Sequence, residues 1–150
     1  MTHFIEILTS AIGTMGFALF FNIKKDKLLC VSIAGMLSWC IYLICKHYGY
    51  NEFISNFISA SFVTLYSEIC ARIFKAPATV FLIPSIVPLV PGGNLYYTMS
   101  SATLGDINGV IKHGMLTLHI SCGIAAGILI ISTIVYHYYQ FIYMHKKKLN

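Results

Sequence analysis

All four prolines of the chain fall within residues 77–91, and Gly92-Gly93-Asn94 follows the last of them. Proline has no N–H. In a helix, Pro84, Pro88 and Pro91 would therefore leave the carbonyls of Val80, Pro84 and Val87 without their usual donors. Spacings of four and three residues set those carbonyls along one face. Gly92 and Gly93 allow the backbone to unwind there. A half-helix starting near Asn94 would turn free N–H groups and a positive dipole end toward the same place. Carbonyl oxygens suit an ammonium group and N–H groups suit a carboxylate, so the segment has the chemistry to hold a zwitterionic amino acid. The alternative is a kinked packing helix whose carbonyls are satisfied by its neighbours.

Glu68 and Arg72 form a second constellation, one helical turn apart and able to pair. An ionised carboxylate inside an apolar helix is costly, so Glu68 is either a proton carrier or substrate contact, or half of a structural ion pair. Asn22 ends the first apolar run, where it caps a helix or lines an inner vestibule. His113 and His119 have no carboxylate or cysteine at metal-ligand spacing, so interhelical hydrogen bonds are expected of them, not a metal. No G-x-S-x-G, H-E-x-x-H or paired catalytic carboxylates occur, so an enzyme is not expected, nor any cofactor.

The elements that position these residues follow from composition. Of 150 residues, 57% are hydrophobic and 10% charged, against about 25% charged in soluble domains. That balance indicates an all-α integral membrane protein forming one transmembrane domain over residues 1–150, with no room for a separate soluble domain. Apolar runs cover about residues 4–23, 28–45, 53–74, 77–103 and 115–136. Each is long enough for one of five crossings, provided that the fourth is a single span broken at Pro88–Gly93. Such an interrupted span points to a transporter's midplane site. The N-terminus lacks a basic stretch and a cleavage site of the signal-peptide type. Cys30, Cys40, Cys45, Cys70 and Cys122 are odd in number and lie in apolar runs, so they read as buried thiols and not as a disulfide framework.

Lysine and arginine orient the chain. With Lys24, Lys25 and Lys27 in the cytoplasm, five crossings also put Arg72, Lys75 and Lys146–Lys148 there. Eight of the ten basic residues are then inside, leaving Lys46 and Lys112 outside. The N-terminus is external and the C-terminus internal. Tyr136, Tyr138, Tyr139, Phe141 and Tyr143 form an aromatic belt at the inner end, beside a lysine tail that can meet anionic membrane lipid. Gly123 and Gly127 make a G-x-x-x-G surface for close helix packing, within the chain or with a partner.

Several stretches carry a family likeness: residues 16–22, Gly35 with Trp39, Glu68-Ile69-Cys70-Ala71-Arg72 with Pro77-Ala78-Thr79, and above all residues 83–93 with Tyr96. The pattern resembles the threonine/serine exporter family over nearly the whole chain. Within that family it is most similar to the short YjjB-like subunit, equivalent to the C-terminal half of the full-length ThrE-type exporter. The resemblance implies a proton-coupled secondary exporter of small amino acids, or of dicarboxylates, in the bacterial cytoplasmic membrane. It also implies a second membrane subunit equivalent to the N-terminal half, with a higher oligomer open. The N-out orientation fits the second half of an inverted pair. The expected substrate-binding residues are Pro84, Pro88, Pro91, Gly92, Gly93, Asn94 and Tyr96, with Glu68 and Arg72 for coupling or ion pairing and Asn22 at the vestibule. A small-molecule substrate is expected and nucleic acid is not. The competing reading is a non-transporting scaffold or regulatory subunit.

Overall fold

The structure, a computed structural model, describes residues 2–149; the side chains of Thr2, Tyr143 and residues 145–149 lie outside what it describes, as does Asn150. The expectations for Tyr143 and for the charges of Lys146–Lys148 fall there. Among the described residues six α-helices follow one another: α1 (Thr2–Phe20), α2 (Lys25–His47), α3 (Glu52–Ile73), α4 (Thr79–Ile86), α5 (Gly92–Thr103) and α6 (Ile107–Leu149). A 3-10 turn, Val87–Leu89, continues α4. No strand occurs among the described residues.

Four of the helices are long and apolar enough to cross a membrane. The bent pair Thr79–Leu89 and Gly92–Thr103 makes a fifth span if it crosses as one, with an angle of 56° between its halves. The last helix is longer than its apolar run. Its 43 residues reach roughly 65 Å at helical rise, twice a hydrocarbon core of about 30 Å.

The helix ends explain the short loops. α1, α2, α3 and α5 all close in the same way, with a left-handed residue just past the helix: Asn22 (φ 55), Gly49 (φ 81), Lys75 (φ 47) and Gly105 (φ 73). At α1, the N–H of Asn22 donates to the carbonyl of Leu19 at 2.9 Å, and that of Ile23 to the carbonyl of Ala18 at 3.0 Å. This paired pattern satisfies carbonyls that the helix end leaves open. Asn22 thus takes the capping role. The starts of α3 and α6 are closed by side chains: Asn51 Oδ1 accepts from the N–H of Ile54 at 2.8 Å, and Asp106 Oδ1 from that of Gly109 at 3.1 Å.

Packing is built on small residues. α2 lies against α1, α3 and α4, while α6 packs on α3 and α5. A Cβ added at Gly123 would sit 2.5 Å from the carbonyl oxygen of Phe53, and one at Gly127 would sit 2.7 Å from that of Phe57. The G-x-x-x-G surface is therefore spent inside the chain, on the α3–α6 seam. Gly35 likewise receives the side chain of Thr14 from α1. An apolar cluster of Ala18, Val31, Cys70, Ala71 and Phe81 joins α1, α2, α3 and α4.

Above that cluster the centre is polar. Thr14, Ser38, Ser55, Asn56, Ser59, Thr64, Ser67 and Ser85 are buried. Some of these hydroxyls bind helices together: Ser85 Oγ donates to the carbonyl of Val31 at 3.2 Å, and Ser59 Oγ to that of Ser38. In lipid, where apolar contact between helices gains little, such bonds and close backbones supply the association.

Two expectations need correction. Cys45 and Cys70 are buried, but Cys122 is exposed. It lies one residue, about 100° of helical turn, away from Gly123 on the α3 seam. Among the described residues, neither His113 nor His119 makes an interhelical hydrogen bond. His119 Nδ1 lies 2.7 Å from the Met115 carbonyl of its own helix, within easy reach one turn back. His113 Nδ1 is buried without a partner, its ring 5.3 Å from that of Tyr97.

Candidate functional site

The break between α4 and α5 is made by local proline chemistry. Val87 donates its N–H to the carbonyl of Pro84, and Val90 donates to that of Val87 at 3.1 Å. These are three-residue bonds, which tighten a helix end. They occupy two of the carbonyls that the sequence left open at Pro84 and Val87, so the expected row of free oxygens is shortened. Pro91 (φ −77, ψ 52) then centres a tight turn in which the Gly92 N–H donates to the Val90 carbonyl at 2.8 Å.

α5 starts at Gly92, earlier than the expected start near Asn94. Its first internal bond runs from the Leu95 N–H to the Pro91 carbonyl, at 2.9 Å. The N–H groups of Gly93 and Asn94 have no partner among the described residues. Neither Gly92 nor Gly93 has a positive φ, and a Cβ at either meets nothing within 4 Å.

A cavity of about 130 Å³ sits at this break. Pro88, Pro91 and Asn94 line it from the broken segment, Trp39 and Tyr42 from α2, and Asn56 from α3. Asn56 is buried, with its Nδ2 committed to the Glu52 carbonyl at 2.8 Å. Its Oδ1 has no hydrogen-bond partner among the described residues. The rings of Trp39 and Tyr42 meet at a tilt of 32°, with centroids 4.9 Å apart. Tyr42 donates its hydroxyl to Glu52 Oε2 at 3.1 Å, and Lys46 holds the other oxygen of Glu52 at 2.9 Å.

The remaining sequence candidates lie elsewhere. Pro84 is buried inside α4 and lines a separate cavity of about 170 Å³ with Phe21, Ile23 and Thr79. Tyr96 is 67% exposed and packs edge-on against Tyr97. Asn22 is exposed beyond α1. Glu68 and Arg72 do pair, at 2.8 Å, and Arg72 also donates to the Glu68 backbone carbonyl at 2.6 Å. The guanidinium lies 3.5 Å above the Tyr139 ring. This pair borders a cavity of about 750 Å³ with Tyr136 and Gln140, at the far end of α3 from Asn56.

Sequence reasoning passed over Glu6. Its Oε2 accepts from Trp39 Nε1 at 3.3 Å, and it lines a cavity of about 260 Å³ with Thr14, Trp39 and Pro88. Pro88 and Trp39 are thus walls of both this cavity and the one holding Asn56 and Asn94. The signal was present: Glu6 is a carboxylate in an apolar run, the same anomaly that drew attention to Glu68. Asn56 was legible too, in the small and polar face of α3 formed by Ser55, Asn56, Ser59, Thr64 and Ser67. No group of histidine, cysteine and acidic residues able to hold a metal occurs among the described residues.

No solved structure matches the chain. The model of the family described as Threonine/Serine exporter, ThrE, matches residues 6–134, most of the chain. Its members are transporters. With four long apolar helices and a bent pair of shorter ones, the chain is a multi-pass membrane protein belonging to the threonine/serine exporter family.

Proposed function

We propose that this chain is one half of a secondary exporter of threonine, serine or related small metabolites such as dicarboxylates. In this reading it works in the bacterial cytoplasmic membrane, is driven by protons and is paired with a second membrane subunit. The observation that carries the reading is the cavity at the α4–α5 break. Its volume suits a small amino acid, and its lining combines apolar ring faces with two carboxamides. The open N–H groups of Gly93 and Asn94 stand at a helix start, where the dipole favours an anion. The substrate carboxylate is assigned to that end, with Asn94 beside it. The ammonium is assigned to the faces of Trp39 and Tyr42 and to Asn56 Oδ1.

The orientation proposed is N-out and C-in, from the basic residues, with the bent pair crossing as one span. α5 buries none of its residues and α1 few, which leaves faces for lipid and a second subunit. Glu68 and Arg72 are assigned a structural role at the inner interface, since the guanidinium is already committed to a carboxylate, a carbonyl and a ring.

The test is efflux of labelled threonine from proteoliposomes, with the chain alone and with its co-purified membrane partner, under an imposed proton gradient. Export that requires the chain supports the reading. A partner that exports equally well without it favours a scaffold.

A further inference from the structure

We infer that Glu6 is the coupling carboxylate of this site, and that Trp39 carries its protonation state to the substrate cavity. The inference deepens the exporter reading and rests on it. Glu6 lies in a helix apolar enough to cross a membrane. Glu6 stands near the start of that helix with its side chain 40% exposed, so what singles it out is its place at the cavity wall, in contact with the Trp39 indole. The groups around Glu6 do not neutralise it firmly. On its own helix, His3 Nδ1 is 3.9 Å from Oε1, and the His3 side chain is 77% exposed. From α2 comes the Trp39 N–H, which is uncharged; the next polar group on that face, the Tyr42 hydroxyl, is given to Glu52, whose charge Lys46 holds. The 3-10 turn contributes Val87 and Pro88, which do not ionise. Protonating Glu68 would break a charge-assisted bond to Arg72. Protonating Glu6 weakens one N–H bond and a long contact to an exposed His3.

The consequence follows from where Trp39 stands. An ionised Glu6 makes the indole bond charge-assisted, roughly twice as strong as a neutral one. When a proton from external water adds to Oε2, that hold on Trp39 weakens. The indole is the wall shared with the Asn56–Asn94 cavity, so its release alters the space and the ring face offered to an ammonium group. Release to the cytoplasm takes place once alternating access has turned the site inward; the carboxylate and its bond to Trp39 are then restored. One proton crosses per cycle and no covalent bond of the protein changes.

Trp39 is the single tryptophan of the chain, so its emission reads this contact directly. In the chain held in lipid nanodiscs without substrate, emission should shift as pH falls, as one titrating group. In Glu6→Gln it should stay at the low-pH position at every pH, whereas Glu6→Asp, His3→Gln and Glu68→Gln should keep the shift. In proteoliposomes, Glu6→Gln should lose gradient-driven threonine export but keep threonine–threonine exchange. A pH shift that persists in Glu6→Gln, or its absence from the unaltered chain, overturns the inference; so does gradient-driven export by Glu6→Gln. Absence of threonine transport from the unaltered chain would end the exporter reading, while the fluorescence series would still decide whether Glu6 controls Trp39.

Discussion

Gly127 of α6 meets the backbone of α3 so closely that a Cβ there would lie 2.7 Å from the Phe57 carbonyl oxygen and 3.0 Å from the Ser61 nitrogen. Backbone cannot swing aside as a side chain can. Gly127→Ala should therefore separate the α3–α6 seam and destabilise the chain by about 1–3 kcal/mol, the usual cost of overpacking. Gly93→Ala is the matched control, because open space surrounds that position. Unfolding in detergent should distinguish the two; equal stability would mean that α3 and α6 are not held as described.

The Glu68–Arg72 pair should be modest in stability and silent in transport. Its side chains are 21% and 36% exposed, and partly exposed ion pairs contribute no more than about 1 kcal/mol. Glu68→Gln should keep gradient-driven threonine export at near-normal rate. Loss of export in a stably assembled Glu68→Gln protein would move the coupling role there.

Orientation is tested by labelling single cysteines in a background free of the five native ones. Cysteines at Lys24 and Lys75 should react from the cytoplasm, and those at Tyr48 and Leu104 from outside. The pair Lys75 and Leu104 is the informative one, because it brackets the bent segment. If both react from one side, α4 and α5 form a re-entrant loop and the five-crossing arrangement falls.

The helices were legible because membrane spans leave long apolar runs bounded by charge. The run at residues 53–74 became α3 at Glu52–Ile73, and the proline-rich run became α4, a 3-10 turn and α5, ending at Thr103. A break was expected at Pro88–Gly93, and the chain bends by 56° between Leu89 and Gly92, since missing donors act locally. What the sequence could not give was the answer to each open carbonyl. Pro84 and Val87 found partners three residues on, a matter of φ and ψ rather than of residue type. Nor could spacing show that Glu6, thirty-three residues before Trp39, would reach its indole. That contact depends on how closely α1 approaches α2, which Thr14 against Gly35 sets. The length of α6 also escaped, since its first turns, with Gly109 and Gly114, are poor in helix formers and are held by packing on α5.

The central claim is that the cavity at the α4–α5 break holds the amino acid, and Asn94 is the residue that tests it most directly. It lines the cavity beside the open backbone N–H groups at the start of α5, and alanine would keep its N–H and remove only its carboxamide. Threonine–threonine exchange should be measured in proteoliposomes carrying the assembled protein, with Asn94→Ala beside the unaltered chain. Losing one hydrogen bond to a charged group removes about 1.5–3 kcal/mol, so half-saturation should rise at least about tenfold while assembly is unchanged. Unchanged half-saturation in a fully assembled Asn94→Ala protein would contradict the claim and place the substrate elsewhere.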